Sequence, residues 1–203
     1  MFLTLSTTLS AQEVQPDQGF QINPLVLESP VEGRLDLEEI NTAILQQFVL
    51  IFSGYEYFPT AEDIGRLTPE PVGYLLTIIY SNAPEILPVH QHRAITALGY
   101  FPTDVSRNHL LYLLESAETP NLMRHHSITA LATGFGDDAL GYLEQSLSDT
   151  DVQIRLTAIS AIGRIDTEAS RQQLLEAYAT EPHELVKGRL QEQLIDTQGV
   201  ELR

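Results

Sequence analysis

Four acidic residues at near-equal intervals limit what this chain can fold into. Glu85, Glu118, Asp149 and Glu181 are spaced 33, 31 and 32 residues apart. Six places after three of them stands a cation: Arg124 follows Glu118, Arg155 follows Asp149 and Lys187 follows Glu181, while Gln91 holds the same place after Glu85. Beyond that position the text repeats again: Ala94, Ile95, Ala97, Leu98, then Ser127, Ile128, Ala130, Leu131, then Ala158, Ile159, Ala161, Ile162. The best-preserved copy is residues 149–163. There Ile154, Ala158, Ala161, Ile162 and Ile165 recur at helical spacing on one face, and Leu156 and Ile159 add a second apolar flank. Such a helix expects neighbours on two sides. Small residues let the neighbours approach closely, and the Ile and Leu positions fill the space between.

A second helix follows each of these, over about 104–116, 137–147 and 168–179, with Thr103-Asp104, Asp137 and Thr167-Glu168 as caps. Gly99, Gly163 and Gly134-Phe135-Gly136 suit helix ends and turns. Two helices in a unit of this period predict an all-α fold, an α-solenoid (α-α superhelix) of stacked antiparallel helix pairs. In the last copy Gln191 and Gln193 replace Ile159 and Ala161, so a polar face should close the stack near Ile195. The repeats with that cap span 85–196, and 197–203 is a tail. Residues 35–84 read as a diverged N-terminal helical repeat. Leu37–Ser53 forms one helix ending at Gly54, Thr68-Pro69-Glu70 caps a second running through Tyr80, and Tyr57-Phe58-Pro59 echoes Tyr100-Phe101-Pro102. Residues 12–34, rich in Gln, Pro, Glu and Gly, read as a linker or loosely docked arm. Residues 1–11 resemble the end of a secretory signal closing on Ala11, which predicts export; without one the chain would be cytoplasmic.

Charge narrows the partners. The net charge is −17, from 28 acidic and 11 basic residues, and it is spread through both halves of the chain. Binding to nucleic acid or an anionic membrane needs clustered cations, so neither is an expected partner. With no cysteine there is no disulfide, thiolate metal site or thiol nucleophile. No segment approaches the ~18 apolar residues of a membrane span.

Motifs for chemistry are absent. His90 and His92 flank Gln91, and His125 and His126 follow Arg124, but none has a recognised metal-ligand spacing. His92 and His125 occupy equivalent repeat positions, whereas His90 falls at a core position. Gly134-Phe135-Gly136-Asp137-Asp138 follows a helix and lacks the further glycine of a phosphate loop; Asp149-Thr150-Asp151 lacks the glycine and terminal glutamate of a calcium loop. Asp151 reads as an N-cap. The sequence predicts no catalytic residue, no resident metal and no cofactor. The acid–cation ladder of Glu85, Glu118, Arg124, Asp149, Arg155, Glu181 and Lys187 is expected to fix register, through bonds within or between units.

The cassette of a loop acid followed by Val/Ile-Arg-x-x-Ala-Ile/Ala-x-Ala-Leu-Gly resembles the short HEAT-like repeats of the phycobilisome-lyase type. Ile154-Arg155 with Ala158, Ala161 and Gly163 matches it best, Met123-Arg124 with Ala130 matches well, and the first copy departs at Gln91. The resemblance covers roughly 85–195 and implies that the second helices line a concave side where another protein binds. Arg107, His109, Tyr112, Tyr142, Gln145, Arg171, Gln172 and Tyr178 would then be the exposed partner-binding residues, a set rich in the tyrosine and arginine of binding hot spots. The leading expectation is a non-catalytic protein-binding scaffold or adaptor. The alternatives are a phycobilin-lyase-like or other chromophore-handling enzyme, and a histidine-based metal binder.

Overall fold

The computed structural model describes residues 41–54 and 57–198, with side chains through Ile195. Residues 1–11, 12–34 and the tail from 199 onward lie outside the described residues, as do the first turn expected for the Leu37 helix and any closer view of the secretory-signal reading. The regular structure is helical in chain order: α1 (Thr42–Phe52), the one-turn α2 (Ala61–Gly65), α3 (Pro71–Ile79), α4 (Pro88–Leu98), α5 (Asp104–Glu115), α6 (Asn121–Phe135), a 3-10 turn (Gly136–Ala139), α7 (Leu140–Leu147), α8 (Val152–Ile165), α9 (Glu168–Thr180) and α10 (Glu184–Gln198). Among the described residues, no helix is long and apolar enough to cross a membrane.

The helices sort into two rows. In the first row α4, α6, α8 and α10 pack successively side by side, with α1 against α4; in the second, α3, α5, α7 and α9 each lie against the first-row helix that follows. This is the expected α-solenoid of helix pairs, and its periodicity is explained by burial. All twelve cassette residues, from Ala94 to Ile162, are 0 % exposed. Each unit thus presents the same small and branched side chains to the neighbours on either side. Residues 41–84 supply a further pair, α1 with α3, whose core is built around Phe48 stacked on Tyr74 at 5.5 Å between ring centres.

Local chemistry sets the helix ends, with several shifts from expectation. Thr103 and Thr167 cap α5 and α9, accepting from the amides of Ser106 and Ser170, and Asp151 caps α8 through the Gln153 amide at 2.7 Å. Thr60 and Asp63 form a reciprocal capping box on α2, a helix that the hydrophobic pattern does not announce. Thr68, by contrast, does not open α3. Its hydroxyl accepts from the Glu70 amide in the preceding turn, and the helix starts at Pro71. Asp137 does not cap α7 either. Gly136, at φ 51°, breaks α6, and Asp137 falls in the 3-10 turn, where it accepts from the Thr167 hydroxyl at 2.7 Å. Gly163 lies buried inside α8, which continues to Ile165 and stops at the left-handed Asp166.

The C-terminal cap is also corrected in part. Gln191 is exposed, as expected for the last unit. Gln193 instead turns back onto α8 and lies against Gly163, so closely that a Cβ there would fall 2.3 Å from the Gln193 amide carbon. Its repeat position faces the preceding unit; only the position of Gln191 faces onward.

Candidate surface for a protein partner

The ladder crosses the unit boundaries. Arg124 donates to the Asp149 carboxylate of the next unit, and Arg155 to both oxygens of Glu181, at 3.0 and 3.3 Å. Within its own unit Arg155 reaches the carbonyls of Asp149 and Thr150, at 2.7 and 3.4 Å, and Arg124 the Leu114 carbonyl and Asn121 Oδ1, at 3.0 and 3.3 Å. Burial tends to raise the Asp149 carboxyl, but the Asp151 amide and the Arg124 guanidinium outweigh it and hold the group below its usual range. The six-residue pairing therefore reflects two ends of different rungs. Lys187 does not meet Glu181; it lies 5.2 Å over the Tyr178 ring. In the first copy Gln91 donates to the carbonyls of Ile79 and Ser81 at 3.0 and 2.9 Å, and Glu85 and Glu118 are exposed. A neutral amide offers Glu118 no charge to meet.

Four of the six histidines, His90, His92, His125 and His126, belong to the seams between first-row helices. Four hydroxyls, Ser53, Thr96, Thr157 and Ser160, each donate to the carbonyl four residues back on their own helix. Each then accepts from a nitrogen on a neighbouring first-row helix: His90 Nε2 at 2.9 Å, His126 Nδ1 at 3.0 Å, His125 Nδ1, and Arg189 Nη2 at 3.3 Å. One such bond spans every seam from α1 to α10. Since the hydroxyl protons are committed, the imidazole nitrogens must donate. His90 is buried as expected, and its other nitrogen accepts from the Leu87 amide at 3.0 Å. His92 stacks on His126, at 5.2 Å and 13°, and not on the equivalent His125. Among the described residues, no three His, Asp or Glu side chains converge to hold a metal ion.

Burial pushes all four of these imidazoles down, and His126, facing the potential charges of His92 and His125, falls to about 4. A depressed base binds fewer protons folded than unfolded, so stability falls on acidification from about pH 6.5, the unfolded value, toward the lowered folded values. Melting temperature should therefore decline between pH 7 and 4.5, and H92Q/H126Q should flatten that decline. An unchanged slope in thermal melts of the double variant would contradict the assignment.

The second row holds the predicted surface residues. Arg107 turns back onto Asp104 of its own helix and lies 5.8 Å from the Phe135 ring; Arg171 pairs with Glu168 at 3.2 Å. Gln172 donates to Glu176 at 2.7 Å, and Tyr112 and Tyr178 are half-buried. His109 is a correction: it is 5 % exposed, with Nδ1 2.9 Å from the Tyr80 hydroxyl. Burial pushes the Tyr80 phenol up, so it keeps its proton in this contact. The i, i+4 pattern of α5 places His109 with Leu113 on the inward side, where it cannot reach a partner.

Of these residues Tyr142 and Gln145, both on α7, line one polar cleft of about 220 Å³, together with Leu114, Glu115, Arg124, Ser146 and Asp149. Glu115 was not among the sequence candidates, although it lies one turn beyond Tyr112 on α5. An apolar groove of about 540 Å³ also opens between the start of α3 and the α4–α5 turn, lined by Pro69, Pro71, Tyr100, Phe101, Pro102 and Val105 among others. Charge separates the two rows. Helices α5, α7 and α9, with the 3-10 turn, carry seven acidic residues against two basic, net −5; helices α4, α6, α8 and α10 carry three against six, net +3.

No curated protein matches this chain. Residues 107–195 match the family model for HEAT repeats, repeats that typically mediate protein–protein interaction, and with the paired helices that precede that span the fold is a HEAT-like repeat solenoid.

Proposed function

We propose that the chain is a non-catalytic interaction scaffold that docks a partner protein on its second-row helices α5, α7 and α9. The observation that carries this reading is the charge separation. The second row holds net −5 while the first row, which holds the repeats in register, is net positive. Among the first-row cations, Arg124 and Arg155 meet loop carboxylates, and Arg93 donates to the Phe52 carbonyl at 2.9 Å. The second-row carboxylates outnumber the cations beside them, and the exposed Glu115, Asp138 and Glu144 can steer a basic partner. Tyr142, 38 % exposed in the middle of that row, supplies an aromatic anchor of the type enriched at hot spots.

The test is site-specific photo-cross-linking in extracts of the native source. A benzophenone amino acid at Tyr142 should capture a discrete partner, and the same group at Thr133 on the first row should not. Equal capture from both positions, or none from Tyr142, would remove the assignment.

A further inference from the structure

The cleft beside Tyr142 goes further than the row around it. It is bordered by the last residues of α5, Leu114 and Glu115, and by Gln145 and Ser146 in the last turn of α7. Two helix C-termini, each carrying partial negative charge, therefore meet at its rim. Of its charged side chains, Glu115 and Asp149 are anionic and Arg124 cationic. Arg124 is already spent on the floor: Nε donates to the Leu114 carbonyl at 3.0 Å, Nη1 to Asn121 Oδ1 at 3.3 Å, and Nη2 to Asp149. Its charge is matched by Asp149, so Glu115 and the two helix ends set the sign of the opening. The Tyr142 ring and the Gln145 side chain form the exposed wall.

We infer that this cleft receives one basic side chain, arginine or lysine, from the docked partner. A volume of about 220 Å³ lies below the ~300–1,000 Å³ of small-molecule sites and suits a single side chain. Glu115 provides the charge-assisted acceptor, Gln145 a neutral one, and the Tyr142 face a cation–π surface. A metal ion is a poorer fit, since one of the two carboxylates is held by Arg124. The inference rests on the scaffold reading and gives its partner a chemical character.

The full chain, labelled with ¹⁵N, is titrated with acetylated and amidated Gly-Arg-Gly, its lysine and citrulline counterparts, and free arginine. The arginine or lysine peptide should give saturable shifts confined to amides 114–116 and 142–149. Citrulline, which keeps the shape and loses the charge, should give none, and free arginine should bind more weakly because its carboxylate faces Glu115. E115Q, at an exposed position, should weaken the peptide about twofold to fivefold, whereas E176Q should leave it unchanged. Shifts equal for arginine and citrulline, shifts spread along the whole row, tighter binding of free arginine, or an indifferent E115Q would each overturn the cleft assignment. If cross-linking from Tyr142 succeeds while this discrimination fails, the cleft alone is wrong; if the cross-link is absent, the scaffold reading itself falls.

Discussion

Replacing Arg155 with methionine should destabilise the protein by about 3–5 kcal/mol, the range for breaking one partner out of a buried ion pair. Arg155 is 11 % exposed and Glu181 6 %, and the guanidinium addresses both carboxylate oxygens. The methionine keeps most of the stem volume but leaves the Glu181 charge out of water with only the His183 amide, at 2.8 Å, to satisfy it. The Asp149 carbonyl loses its 2.7 Å donor as well. At roughly 2–4 °C per kcal/mol for a chain of this size, the melting midpoint should fall by about 6–20 °C. Because the rung joins α8 to the turn before α10, the loss should be uneven. Amides of α10 should exchange faster than those of α4 and α6, as expected where each unit is held mainly by its neighbours. R155M/E181L should recover much of the loss by removing the stranded charge. By comparison, opening the exposed Arg107–Asp104 pair, whose aspartate is 84 % exposed, should change stability by less than about 1 kcal/mol. A fall of under 1 kcal/mol for R155M would mean that the rung only decorates the seam.

The rungs also show which parts of this molecule are written locally. The helix pairs and their stacking were readable because a solenoid repeats one set of packing demands, and the cassette answers it three times with residues that are all fully buried. The partner of each arginine was less readable. Glu118 and Arg124 stand six residues apart in the sequence, yet Arg124 meets Asp149, 25 residues on, because the spacing of stacked helices and not of the chain decides what it can reach. The hydroxyl–nitrogen bonds of the seams were invisible for the same reason: Thr96 and His126 are 30 residues apart and belong to no local motif. On the surface, HEAT-like resemblance pointed to the second helices as a group, and Tyr142 and Gln145 do share a cleft. His109 failed that expectation because α5 is amphipathic with Leu110, Leu113 and Leu114 inward, and an imidazole with a phenol to bond can occupy the same side. Glu115 escaped notice because a lone helix-terminal acid in a chain of net −17 carries no signal until the opposite wall of the cleft is in view.

Gly134→Val should cost about 2–3 kcal/mol, the upper range for forcing extra carbon into a packed seam. The residue lies one position before the end of α6, where this helix crosses the end of α4 at Gly99. A Cβ at Gly134 would sit 2.5 Å from the Gly99 carbonyl oxygen and 3.1 Å from its Cα. A Cβ at Gly99 would in turn meet the Ala130 carbonyl oxygen at 2.6 Å. The obstacles are backbone atoms on both sides, so no rotamer change can relieve them and the two helices must separate. That separation acts on the seam where His92 stacks on His126 and Thr96 accepts from His126. Alanine gives the sharper experiment. In an unobstructed helix Gly→Ala is worth about 1 kcal/mol of added stability. Gly141, on α7, has nothing within 4 Å of a built Cβ, so G141A should raise the melting point by a few degrees while G134A lowers it. Denaturant midpoints of the two alanine variants, measured side by side, decide the matter. If both rise equally, helix propensity governs Gly134 and the α4–α6 crossing has room to spare; if they move in opposite directions, the close backbone approach sets the spacing on which the inter-unit bonds depend.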